Sequence, residues 1–215
     1  MQGPRAPAPD CALCPRLVEF RRTNQDRHPG FFNAPVPSFG DPQARLLIVG
    51  LAPGLKGANQ TGRPFTGDYA GDLLYETLTD FGFARGRYDK RADDGLTLVG
   101  CRITNAVRCV PPENKPVGAE IKRCRPFLEA ELAGLPKLEI VLALGTVAHN
   151  AVLASLGQRI SAHRFAHGAA HALPNDLTLA DSYHCSRYNT NTGRLTTAMF
   201  REVFSGIRQR LGKRK

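Results

Sequence analysis

Three groups of residues have the types and spacing to do chemistry. The first is the run from Gly50 to Asp68, which holds five glycines together with Arg63, Phe65 and Asp68. It follows the apolar stretch Leu46-Leu47-Ile48-Val49 and precedes a segment of helical spacing. That places it at the carboxyl end of a buried strand, where open α/β sheets bind ligands. Glycines there let the backbone approach a ligand and present its N–H groups. The run lacks both the Lys-Ser/Thr pair of a P-loop and the spacing of a dinucleotide fingerprint. The second group is the polar run from Ser182 to Thr196. Here His184 can donate a hydrogen bond to a leaving anion, and Ser186 and Asn189 can hold phosphate. Arg187 or Tyr188 can wedge into a base stack. The plainer expectation is a capping loop, with Asn191 or Thr192 at the start of the final helix. The third group is the C-x-x-C pair Cys11 and Cys14 together with Cys109 and Cys124. Four thiolates can enclose one 4Fe-4S cluster or one zinc, and spacing does not choose between them. Their plainer reading is as small buried hydrophobes. Cys101 falls in an apparent strand and reads as core.

The elements that must position these groups alternate. Leu46–Val49 and Ile140–Leu144 read as buried strands, Leu96–Thr104 as extended, and Leu177–Leu179 as a further strand. Helical spacing covers residues 68–83, 118–132, 146–156 and 195–211, with a short helix within 11–22. This alternation predicts a parallel sheet with helices on both faces. Residues 28–43, rich in Pro, Gly and Phe, read as an irregular arm. In the segment 157–174, His163, His167 and His171 recur at spacing four. Gly168 and the lack of a nearby carboxylate argue against a metal there, and the segment is expected to be an exposed loop touching DNA.

The 215 residues suffice for one α/β domain, with residues 1–10 as a mobile tail and 11–215 as the folded unit. The formal net charge of +10 favours a polyanionic partner. The first ten residues have no apolar core of a secretory signal, and no stretch is apolar and long enough to span a membrane, so a cytoplasmic protein is expected.

Taken together, these motifs resemble the iron–sulfur branch, family five, of the uracil-DNA glycosylase superfamily. The resemblance rests on Gly50-Leu51-Ala52-Pro53-Gly54 through Thr61–Asp68, on Ile103-Thr104-Asn105 through Asn114-Lys115-Pro116, on His184-Cys185-Ser186 with Asn189 and Thr192–Thr196, and on the four cysteines. It covers the chain from Cys11 to the last helix. Where the family usually has His-Pro-Ser, this chain reads His184-Cys185-Ser186. Ala52 stands where relatives outside the branch carry a polar or acidic residue that orients water, which turns attention to Asp68. The resemblance implies a three-layer α/β/α sandwich around a four-stranded, mainly parallel sheet. It implies a 4Fe-4S cluster on Cys11, Cys14, Cys109 and Cys124, with zinc as the less favoured occupant. It implies cleavage of the base–deoxyribose bond of uracil in DNA, and of other deaminated bases such as hypoxanthine and xanthine, leaving an abasic site. Within that frame Asp68 stabilises positive charge on the sugar and His184 donates to the departing base. Asn105 reads the base edge, Phe65 stacks on the flipped base, and Leu51 and Ala52 offer backbone groups. Asn114 lies near the DNA or the site. Arg63, Ser186, Arg187, Tyr188 and Asn189 are the candidate DNA contacts. A monomer is expected, with a sliding clamp as a candidate partner. The alternative from another class is a non-catalytic iron–sulfur module that binds lesions.

Overall fold

A computed structural model describes residues 6–213 of the chain. The expected mobile tail lies outside the described residues up to residue 5. Beyond it, the Cys11 amide donates to the Ala8 carbonyl at 3.0 Å.

After helix α1 (Pro15–Arg27) the arm crosses the sheet edge as β1 (Phe39–Gly40), and β2 (Leu46–Gly50) enters the core. A one-turn helix α2 (Ala58–Thr61) and helix α3 (Tyr69–Asp80) follow, then a small hairpin of β3 (Ala84–Arg85) and β4 (Thr97–Leu98). The chain continues through β5 (Cys101–Asn105), α4 (Gly118–Ala133), β6 (Ile140–Leu144) and α5 (Thr146–Ser155). It ends with β7 (Ala170–Ala172), β8 (Thr178–Ser182), the short α6 (Arg187–Asn191) and α7 (Thr197–Lys213).

The main sheet has six strands in the order β1-β5-β2-β6-β8-β7. Its centre is the four parallel strands β5, β2, β6 and β8, and the two short outer strands run antiparallel. The expected parallel four are present; the edges add two strands of two and three residues, too short to leave a period in the sequence. Every residue of β2 and β6 is buried, as a parallel sheet covered on both faces requires. Leu46, Ile48, Ile103 and Leu142 pack against Leu74 and Leu78 of α3 and Phe200 and Phe204 of α7. Leu47, Val49, Val141 and Ala143 point the other way, onto Leu128 and Leu132 of α4 and Val152 and Leu153 of α5. The three layers follow from this alternation of side chains along each strand. From β2 the chain returns on one side to β5 and then crosses to β6 on the other. The carboxyl ends of β2 and β6 therefore flank a switch point, where loops diverge and leave a crevice. Among the described residues, no helix is long and apolar enough to cross a membrane.

Candidate active site

The crevice holds a cleft with about 1910 Å³ of empty space, open to solvent on one side. At its base lies a smaller, narrow pocket, walled by Ala52, Phe65, Asp68, Asn105 and His184 among others. Asp68, Asn105, Phe65 and His184, taken from three separated stretches of sequence, thus meet in one place. Ala52 lines both cavities and Leu51 the outer one. The carbonyl of Leu51 accepts from the Val107 amide at 3.0 Å, which ties this loop to the end of β5.

Register explains the meeting. Gly50 and Asn105 are paired neighbours at the ends of β2 and β5. A Cβ on Gly50 would lie 2.6 Å from Phe65 Cζ and collide with the Asn105 side-chain oxygen. The missing methyl is the space that the phenyl ring and the amide occupy. Phe65 has φ of +53°, a left-handed conformation that costs a non-glycine residue free energy and persists only under surrounding restraint. The restraint is visible. Tyr75 Oη donates to the Pro64 carbonyl at 2.6 Å, and Tyr88 Oη donates to that of Phe65 at 3.2 Å.

Arg63 supplies the rest, and here the structure corrects the expectation of a phosphate contact. Its guanidinium is buried and makes a bidentate pair with Asp94, both N–O distances being 2.7 Å. Its Nε donates to Thr66 Oγ1 at 2.7 Å, and it stacks near the rings of Phe39, Tyr75 and Tyr88. Burial alone raises the Asp94 carboxyl, but the Arg63 hydrogen bonds win and hold it well below the usual range. Arg63 is a buried internal brace of the loop.

Asp68 is the N-cap of α3, accepting from the Gly71 amide at 3.2 Å. Its carboxylate lies against the loop backbone at Gly57, where a Cβ would overlap it. Burial raises its pKa above the usual carboxylate value, and the amides of Gly71 and Ala70 counter only part of that shift. His184 faces it across the pocket and stacks on Phe65 with ring centroids 5.8 Å apart. Burial pushes the His184 imidazole down to about 4, so at neutral pH it is an uncharged ring. Its Nδ1 is buried without a hydrogen-bond partner among the described residues, a polar group left for a ligand to satisfy. Next to it, the Cys185 thiol donates to the Ala70 carbonyl at 3.4 Å. That bond fastens the His184 segment to the first turn of the helix that Asp68 caps.

The outer cleft gathers Asn114, Ser186 and Arg187. Arg187 lies over the Tyr69 ring at 5.3 Å, and Tyr188 is 72% exposed. Asn189 and Ser186 also brace the chain around His184. The Asn189 side-chain amide donates to the His184 carbonyl at 2.8 Å, so it holds the imidazole segment from behind. Ser186 Oγ accepts from the Asn189 amide and caps α6. Thr196 caps α7, its hydroxyl accepting from the Met199 amide at 3.2 Å; neither Asn191 nor Thr192 does so. The sequence reading missed Tyr69, Lys56 and the Gly145-Thr146-Val147 turn, all of which line the cleft. The last carries the same strand–glycine–helix signal that marked the first loop.

Cys11, Cys14, Cys109 and Cys124 converge on a separate small pocket, together with Leu17, Val107 and Phe127. Arg21 Nη1 lies 3.9 Å from Cys109 Sγ, and the Arg108 amide donates to Cys124 Sγ at 3.4 Å. Burial pushes the Cys14 thiol up to about 11 and that of Cys109 up to about 12, with the neighbouring cysteines adding to both. Among the described residues, no three of these sulfurs gather within 4.8 Å of one another. A tetrahedral zinc with Zn–S bonds of about 2.3 Å holds its sulfurs about 3.8 Å apart. Four thiols lining one pocket match in number and kind a cluster in which each iron takes one thiolate. Cys101 is in the core, as expected, and Cys185 is fully buried.

Comparison with known proteins agrees with this geometry. The profile described as "Uracil DNA glycosylase superfamily" matches residues 37–208. A type-5 uracil-DNA glycosylase of Thermus thermophilus is 47% identical over 207 residues, covering 94% of each chain. The type-5 enzyme of Mycobacterium leprae is 41% identical, over 94% of this chain and 92% of its own. That of Pyrobaculum aerophilum is 40% identical, over 90% and 86%.

Proposed function

The chain belongs to the uracil-DNA glycosylase superfamily, and from that premise we infer that it is a DNA repair hydrolase that excises uracil from DNA. The bond cut is the N-glycosidic bond, and the product is an abasic site. The single observation that carries the assignment of residues is the pocket in which Asp68, Asn105, Phe65 and His184 meet.

In this reading the base must leave the duplex stack to reach the pocket, at a cost of a few kcal/mol. Phe65 receives it face-on, and the Asn105 amide, with one donor group and one acceptor, matches the edge of the base. As the glycosidic bond breaks, positive charge grows on the sugar and negative charge on the base. Asp68 faces the first and orients the attacking water. His184, kept neutral by burial, donates a hydrogen bond to the second. Because the ring is uncharged, it stabilises the departing base as a dipole and does not release a full proton. Arg187, Tyr188 and Ser186 at the cleft mouth meet the DNA backbone and the gap left by the base.

The four cysteines would hold a 4Fe-4S cluster. Bound there, it supplies a charge-bearing cross-link and no electron transfer, since hydrolysis moves none. Their positions tie the segment before α1 and the turn after β5 to α4. We further propose that hypoxanthine and xanthine are substrates; small walls at Ala52, Ala58 and Ala70 support this. A monomer is proposed, located in the cytoplasm with its nucleoid.

The test is an assay of the purified protein on oligonucleotides carrying uracil, hypoxanthine or xanthine, single- and double-stranded. Strand breaks that appear only after alkali are expected. Intact uracil-containing strands after alkali would overturn the assignment and favour a lesion-binding role.

A further inference from the structure

We propose that His149, His171 and Asp181 form a binding site for one divalent transition-metal ion of the zinc class, separate from the cysteines and from the base pocket. His149 and Asp181 are wholly buried, and His171 is 15% exposed. One ligand atom from each lies within 4.8 Å of the other two. His149 Nδ1 is 2.7 Å from Asp181 Oδ1, and His171 Nε2 is 3.0 Å from Oδ2.

The donor and acceptor count is what points to a cation. His149 Nε2 lies 2.8 Å from the carbonyl oxygen of His163. A carbonyl only accepts, so this nitrogen carries the proton. In a neutral ring Nδ1 is then a bare lone pair, aimed at a carboxylate oxygen that also only accepts. Two acceptors at 2.7 Å in a dry interior require a positive centre between them, either a proton or a metal ion. The second imidazole favours the metal, because His171 brings another nitrogen to the same carboxylate. The carbonyl behind His149 is the outer partner that fixes the tautomer of a metal-binding histidine. The Ala166 amide, 3.3 Å from Asp181 Oδ2, plays that part for the carboxylate. The Phe165 ring meets His149 edge-on at 5.6 Å and closes the inner side, whereas His171 and the neighbouring His163 ring form the way out to solvent. Zinc bonds of about 2.0–2.2 Å keep two ligand atoms more than about 3 Å apart. Loading therefore widens the His149–Asp181 pair beyond its 2.7 Å, by a small shift of α5 against β8.

The sequence makes the segment of His163, His167 and His171 an exposed loop without a nearby carboxylate. The segment is instead a 3-10 turn and the edge strand β7, and β8 brings the carboxylate. The ion would pin α5, β7 and β8 to one another. Asp181 lies three residues before His184, and His167 Nδ1 accepts from the intervening Tyr183 amide at 3.1 Å.

The experiment compares the full-length protein with His171→Gln, whose amide can still bond to the carboxylate. Both are dialysed against zinc sulfate, freed of loosely held ion, and counted for zinc and iron by mass spectrometry. The wild type should carry one more zinc per chain than the variant, and zinc should raise its melting temperature by several degrees while leaving that of the variant unchanged. Equal zinc and equal shifts would mean that only a proton joins His149 to Asp181, and would overturn the proposal. Zinc K-edge absorption of the wild type gives a reading that needs no variant. A shell of nitrogen and oxygen supports the site, and a shell of sulfur alone refutes it.

Discussion

Replacing Asp68 by asparagine separates charge from shape. The amide oxygen still accepts from the Gly71 amide, and asparagine is among the best N-cap residues, so α3 keeps its start. The lost charge at a helix N-terminus costs about 0.3–1 kcal/mol, and relief of the desolvation that raises the Asp68 pKa works against that cost. The melting temperature should therefore move by no more than about 2–4 °C. The transition state loses more. A charge about 4 Å from a cationic sugar, at an effective dielectric of about 20, is worth about 4 kcal/mol. Since that charge is only partly developed, about 3 kcal/mol, or about 10²-fold in rate, is the expected loss. Single-turnover excision from a uracil oligonucleotide measures the rate, and fluorescence anisotropy measures DNA affinity, which should stay near that of the parent. A rate within about fivefold of the parent, or affinity that falls in step with rate, would refute the electrostatic role.

His184→Gln should slow excision by about 10²–10³-fold, the scale of one lost donor at a developing anion. With the His184 pKa near 4 against the ordinary 6.5, the parent's single-turnover rate should stay level between pH 6 and 8; a sigmoidal step centred near 6.5 would contradict a neutral imidazole. The same depressed pKa makes stability fall with acid: the unfolded chain takes up a proton below about 6.5 while the folded one resists until about 4. Urea midpoints of His184→Gln should accordingly fall less between pH 6.5 and 4 than those of the parent. Asp94→Asn strands the buried Arg63 charge and should cost about 3–5 kcal/mol in urea unfolding; an unchanged midpoint would show that the pair does not brace the loop. Cys109→Ser should purify with less iron and lose the brown colour expected of the parent, both read by visible absorbance and iron analysis.

The core of the fold was open to reading because its signals are local. The runs Leu46–Val49 and Ile140–Leu144 are apolar throughout, and glycine follows each at the strand end. Asp68, Asn105 and His184 were grouped in advance by the resemblance to the glycosylase family, and each closes a strand or opens a helix in a polar loop. Arg63 was misplaced for a related reason. A cation in a glycine-rich loop invites an anion, and its true partner, Asp94, sits 31 residues on in a loop without any period. The bond from the Asn189 side chain to the His184 carbonyl could not be read in advance, because only tertiary structure brings the two together. His149 and Asp181 gave no sign at all: one lies in an ordinary helical stretch, the other in a strand, and neither has meaning without the other.

Position 50 has a consequence for which nucleobases this enzyme can handle. With no side chain there, the inner end of the recess is already as deep as the polypeptide allows, because Phe65 and Asn105 fill the room that a methyl would need. Bulkier purines cannot be admitted by trimming that end. Any broadening of the repertoire has to come from the other walls, where Ala52, Ala58 and Ala70 already present small side chains.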